Sequence, residues 1–288
     1  MKTLLASPFE VNAQAYRPAP TPLASAQSAV AEALCVLHRV NPALSYTGWL
    51  HVGLTVAALA LLPLDQRHVT GALVWLKPLK FALSGLAYTW TLAWLLADLP
   101  APAQRSVRRL SGAVALSMVV EIVIIFMQAG RGVSSHYNVS SPVNGLLFSL
   151  MGIFILVNTA MTIWAVYLAW RYRPHGSAGY VWGLRLGLLV FLVGSALGGF
   201  MIHQMQHTVG APDGGPGLPG LGWSTVAGDV RTAHFLGMHA LQALPLLGWA
   251  LGRRVPRRAA LLTGVGAALY VAAVAGLLAQ ALAGRPLL

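Results

Sequence analysis

Gly210–Leu247 reads GAPDGGPGLPGLGWSTVAGDVRTAHFLGMHALQALPLL. A Gly/Pro-rich loop, 210–222, runs into Trp223 and Asp229, then into an apolar helix carrying Arg231, His234, His239 and Gln242. An ionisable group inside an apolar helix is costly, so each such group needs a partner or a role. The loop mixes prolines, which restrict φ, with glycines, which allow tight turns. That mixture reads as a folded lid rather than a flexible Gly/Ser linker. The lid is expected to rest over His203, His207 and His234, with Trp223 at its edge.

Composition places this helix in a membrane. Of 288 residues 57% are hydrophobic and 9% charged, against about 25% charged in soluble domains. The mean hydropathy of +0.67 agrees. The fold class expected is all-α: a polytopic bundle of about seven transmembrane helices. The apolar segments lie near 44–63, 75–97, 110–129, 145–169, 183–206, 230–251 and 259–283, each near the length a spanning helix needs. Residues 1–43 read as a cytoplasmic tail without a signal peptide, since the apolar run after Lys2 is too short. Within it Ala24–Val40 forms a short amphipathic helix striped by Val30, Leu34, Leu37 and Val40. Residues 44–288 are the transmembrane domain, with the Gly/Pro loop in its widest bounds at 207–229.

The formal net charge of +12 does not point to nucleic acid, because the basic residues sit in short runs between apolar segments. Arg105, Arg108, Arg109, Arg171, Arg173, Arg253, Arg254, Arg257 and Arg258 fall on one side and mark it as cytoplasmic. The expected topology is therefore N-in and C-out in the inner membrane, with the lid outside. The lone Cys35 excludes an intrachain disulfide and a cysteine metal cluster.

This orientation gathers most unusual polar residues near the outer face. On the helix after the lid, Asp229 is placed as N-cap, and Arg231, His234, Met238 and Gln242 share one face. His203 and His207, spaced i and i+4, would share a face and suit a metal ion or two proton carriers. Glu121 and Gln128 lie seven residues apart on one helix, followed by Arg131 and His136. Glu121 at mid-depth must be protonated, paired or ligating. Lys77 and Lys80 are its candidate partners, and Glu121, Lys80 and His239 are expected in one polar cluster. Gly194, Ser195, Gly198 and Gly199 read as a helix-packing face. Gly215–Gly220 fits G-x-G-x-x-G only by coincidence, because it follows no strand and its prolines remove the N–H groups a phosphate needs. No Ser-His-Asp or His-Glu-x-x-His arrangement marks a hydrolase.

The lid block, with LKPLKFALS (Leu76–Ser84) and EIVIIFMQAGRGVSSHYN (Glu121–Asn138), resembles an uncharacterised family of bacterial multi-pass inner-membrane proteins. The likeness runs from about Trp75 to Leu247. It implies a membrane class and no activity.

Three functions fit these residues, and the first is the leading expectation. The first is a membrane protein holding haem or a transition metal for a redox or sensing role. Its ligands would come from His136, His203, His207, His234 and His239, with Arg131, Arg231 and Lys80 pairing with propionates. The second is a transporter or receptor for a small anionic solute, bound by Lys77, Lys80, Arg131, Arg231 and the helix N-terminus after Asp229. The third is an assembly factor whose Gln128, Asn158 and Gln242 only join helices. The partners expected are the lipid bilayer and a small-molecule ligand.

Overall fold

Residues 22–288 are described by a computed structural model, with side chains from residue 28 onward. The expectation for residues 1–21 lies outside them. Helix α1 spans Pro22–Val40 and α2 spans Pro42–Leu61. Asn41 separates them: its side chain accepts the Leu44 N–H and donates to Ser111 Oγ at 2.7 Å. One residue thus caps α2 and ties it to α4, Gln104–Gly130. Between these come the two-residue strands β1 (His68–Val69) and β2 (Ala72–Leu73), then α3 (Leu76–Ala97). Ser141 and Ser177 cap α5 (Pro142–Arg171) and α6 (Ala178–Gln204) in the same way. Strands β3 (Thr208–Val209) and β4 (Gly228–Asp229) bracket the lid, and α7 (Arg231–Arg254) and α8 (Ala259–Leu282) close the bundle.

Six of these helices, α2 and α4 to α8, are long and apolar enough to cross a membrane. The sequence expectation of about seven spans includes α3. It has 22 residues but also Lys77, Lys80, Tyr88 and several hydroxyl side chains, and it is not among the six. Large apolar side chains stand outward on α5 and α8, such as Leu156 at 69% and Leu269 at 68% exposed. Such faces suit lipid, not water. The main core gathers Leu44, Tyr88, Leu92, Leu110, Leu184, Phe191 and Leu241 from five of the helices. The α1 stripe engages it only through Leu37, since Val30 and Val40 are exposed. The stripe is correct in period, but its ends find no neighbour to bury them.

The closest packing is between α6 and α7. Gly179 faces the Gly248 carbonyl, Gly183 the Leu244 carbonyl and Pro245 backbone, Gly187 the Ala240 carbonyl, and Gly194 the Gly237 backbone. A Cβ at any of these would collide with main chain, which cannot yield as a side chain tip can. Of the packing face expected at Gly194–Gly199, Gly194 meets the α7 backbone and Gly198 the His234 ring, while Gly199 has nothing within 4 Å. The Gly-x-x-x-Gly beginning at Gly179 and Gly183 is the tighter contact. Within it Pro245 removes one ladder hydrogen bond from α7.

Gly183→Leu is expected to destabilise the protein in detergent by about 1–3 kcal/mol or more, the usual cost of overpacking. Gly53→Leu, where nothing lies within 4 Å, should leave the melting temperature unchanged. Equal melting temperatures for the two variants would contradict the packing argument.

Candidate functional site

The lid is built from its ends inward. Strand β3 pairs antiparallel with β4, Thr208 opposite Asp229, and the Val230 N–H donates to the His207 carbonyl at 3.0 Å. Inside, the Leu218 N–H donates to the Trp223 carbonyl and the Gly222 N–H to the Leu218 carbonyl, at 2.8 and 2.7 Å. Asp213 accepts the Thr208 N–H at 3.0 Å. Gly214 rests on the β1–β2 turn, where Gly71 at φ +76° leaves no room for a Cβ against the Gly214 carbonyl. A loop with these bonds is a folded lid.

Arg231 locks that lid to α7. Its guanidinium donates to Asp229 Oδ2 at 2.6 Å, to Asp229 Oδ1 at 2.9 Å and to the Gly222 carbonyl. The Asp229 carboxylate also accepts the N–H groups of Ser224 and Arg231. The N-cap position itself is Val230, one residue later than the sequence placed it. Asp229 still answers a free donor of the first turn, but its larger task is the Arg231 pair. Lys80 reaches across from α3 to donate to the Leu221 carbonyl at 2.8 Å. Trp223 meets Phe235 edge to face at 5.5 Å, and Phe235 meets His239 at 4.3 Å.

A second cluster lies on the α4 side. Lys77 Nζ is 3.2 Å from His136 Nδ1, and Ser135 Oγ is 3.0 Å from the same atom. An ammonium only donates, so Nδ1 accepts and the ring proton sits on Nε2. That nitrogen faces Glu121 Oε1 at 3.5 Å. Glu121 is 6% exposed, and its other oxygen, Oε2, is buried with no hydrogen-bond partner. Burial and the Lys77 charge hold the His136 imidazole below its usual range, with Glu121 opposing. Beside this chain, Arg131 donates to Gln128 Oε1 and to Asn144 Oδ1. The ring of Tyr137 stacks edge to face on His136 at 6.1 Å and packs against Met201 and Val230. Burial, then Asp213, push its hydroxyl up to about 12, so Tyr137 touches the His136 ring while lying within electrostatic reach of the lid's charges.

Several expected associations are redistributed. Glu121 meets His136, which Lys77 touches from its other side, whereas Lys80 serves the lid and His239 lies against Phe235. The His203–His207 pair shares no helical face, because α6 ends at Gln204 and Met205 turns left-handed at φ +56°. His203 is exposed, and His207 turns instead to Asp213 at 3.2 Å and Asp229 at 3.8 Å. His234 bonds the Gly194 carbonyl at 2.7 Å, so it joins α6 to α7 rather than facing the lid. Gln242 spans from α7 to Thr91 and the Ala87 carbonyl, and Asn158 accepts from Tyr88 at 2.9 Å. Both make interhelical bonds, with Gln242 Oε1 left buried and unpartnered. Four of the five candidate histidines, His136, His207, His234 and His239, thus have separate neighbours, and the fifth, His203, is exposed. Among the described residues no group of three His, Cys, Asp or Glu side chains is arranged to hold a metal ion. Lys77, expected from sequence as a candidate partner of Glu121, instead meets His136.

No family model, curated protein or solved structure matches the chain.

The lid should loosen in acid. Burial alone would raise Asp229, but the hydrogen bonds and charge of Arg231 outweigh it and the carboxyl lies below its usual value. Its contribution is present above about pH 3.9 and lost below that. Burial, then Arg231, hold His207 below its usual range. The folded lid therefore favours neutral imidazole, and stability falls as pH drops below about 6.5. Both slopes have the same sign. Proteolysis between Ala211 and Leu221, normalised to denatured protein at each pH, should accelerate from about pH 7.5 to about pH 5. Arg231→Gln should show fast cleavage already at neutral pH. A pH-independent rate in the wild type would contradict this account.

Proposed function

We propose that this chain is a multi-pass inner-membrane protein that binds a small anionic solute beneath the 207–229 lid, as a receptor or transporter. Glu121 and His136 handle the accompanying proton. The observation that carries this reading is the pairing of the cations. Lys77 meets an imidazole, Lys80 a backbone carbonyl and Arg131 two amide oxygens. Among the described residues none of the three has a carboxylate within 4.0 Å, and only Arg231 at this end of α7 does. Positive charge in surplus over acid, in a partly buried setting, favours an anion. Arg231 lies within electrostatic reach of both lysines, but its charge is paired with Asp229, so the surplus rests on the other three.

The proton role rests on Glu121. A carboxylate with one unpartnered buried oxygen, next to a neutral imidazole that an ammonium touches from behind, forms a short path for a proton. In this reading the lid faces outward, because the arginine-rich loops lie at the opposite end of the helices. The anion reading takes precedence over haem or transition metal because four of the candidate histidines are divided among separate neighbours and His203 is exposed. A visible absorption band or bound metal in purified protein would reverse that order.

Small carboxylates and inorganic anions are expected to raise the melting temperature of purified protein saturably. Lys77→Gln should weaken the effective anion about tenfold, the loss of one charge-assisted contact. If no anion shifts the melting temperature, or Lys77→Gln binds equally well, the proposal fails. Reporter fusions after Arg254 should read cytoplasmic and fusions at Gly215 external. The reverse at both would overturn the sidedness.

A further inference from the structure

At the end of the bundle away from the lid, α3, the α5–α6 turn and α7 enclose an open cavity of about 450 Å³. Trp94 and Trp249 form two of its walls, at 45% and 48% exposed. Tyr180 donates its hydroxyl to Asp98 Oδ2, and the His175 N–H donates to the Asp98 carbonyl at 2.7 Å. These bonds fix Asp98 at the cavity edge. Arg253 lies over the Trp249 ring, its guanidinium carbon 4.5 Å from the centroid.

The two charges in this cavity are not spent on each other. Among the described residues Asp98 has no cation within 4.0 Å and Arg253 no carboxylate. Burial pushes the Asp98 carboxyl up, with the Tyr180 hydroxyl and then His175 opposing. A cation brought to Asp98 would relieve that cost. The cavity therefore offers one open acid and one open base over aromatic walls. Its complement carries a positive group at one end and a negative group at the other.

We propose that this cavity binds the phosphoethanolamine headgroup of a membrane phospholipid, with its ammonium on Asp98 and its phosphate on Arg253. Four features of the site agree. The indole faces attract an ammonium. Tryptophans at the ends of apolar helices stand at headgroup depth. The volume falls within the range of small-molecule sites. An N–H donor is needed to hydrogen-bond Asp98, which a quaternary ammonium lacks. A purely anionic headgroup would satisfy Arg253 but would set its charge against Asp98. The site is separate from the anion site beneath the lid and does not depend on it.

The test is native mass spectrometry of protein purified in mild detergent and titrated with single phospholipids. Phosphatidylethanolamine should bind about tenfold more tightly than phosphatidylcholine or phosphatidylglycerol, the difference of one charge-assisted contact. Asp98→Asn should abolish that preference, and Arg253→Gln should weaken phosphatidylethanolamine about tenfold. If Asp98→Asn fails to fold for want of the Tyr180 bond, Arg253→Gln at its exposed position decides alone. Soluble phosphoethanolamine then separates the sources: displacement of the lipid shows that the headgroup suffices, and failure to displace it shows that acyl chains are required. Equal binding of all three lipids by the wild type, or unchanged phosphatidylethanolamine affinity in Arg253→Gln, overturns the proposal.

Discussion

Backbone contact between α6 and α7 sets the frame for everything else in the molecule. In a bilayer, apolar side chains gain little by leaving lipid for one another, so helix pairs are held by close packing and polar bonds. Gly179, Gly183, Gly187 and Gly194 let α6 lie directly on the carbonyls of α7. This contact fixes the height and rotation of α7. It also presses His234 against the Gly194 carbonyl and sets Arg231 at the mouth of the lid. An imidazole that seems chemically free in sequence becomes part of the joint.

Arg231 converts that rigid helix into an ordered loop. A guanidinium has five donors in a plane, and here those on Nε and Nη2 are divided between Asp229 and the Gly222 carbonyl. The lid therefore takes its shape from α7 as much as from its own prolines. Lys80 adds a second anchor from α3 through Leu221, and Gly71 a third through its contact with Gly214. Three elements distant in sequence hold one loop, so its closure reports on the arrangement of the whole lid end.

The ionisable groups follow a common rule. Where acid and base are matched, as in Asp65 with Arg67 or Asp229 with Arg231, both are consumed by structure. Where the partner is neutral, charge is left for something else. Lys77, Lys80 and Arg131 show this at one end, and Arg253 with Asp98 at the other. The unpartnered Glu121 oxygen belongs to the same class. The residues of interest are therefore identified by who their neighbours are, not by their chemical type.

The pattern of apolar runs and breakers by itself determined a helical membrane-type chain, because length and hydropathy are local properties. Seven apolar segments correspond to α2 through α8 within a few residues at most ends, and the starts of α4 and α6 moved furthest, both towards the N-terminus. The ordered lid was legible in its Pro/Gly mixture, since φ limits are also local. Which polar side chains meet was decided only by the tertiary structure. Glu121 lies on α4, Lys77 on α3 and His136 in the following loop, and no spacing within one segment brings them together. The left-handed turn at Met205, which separates His203 from His207, is likewise unsignalled, because a methionine has no preference for that conformation. Local sequence sets where a helix runs, but the rotation of each helix about its axis depends on what packs beside it. That rotation decides which charges find partners.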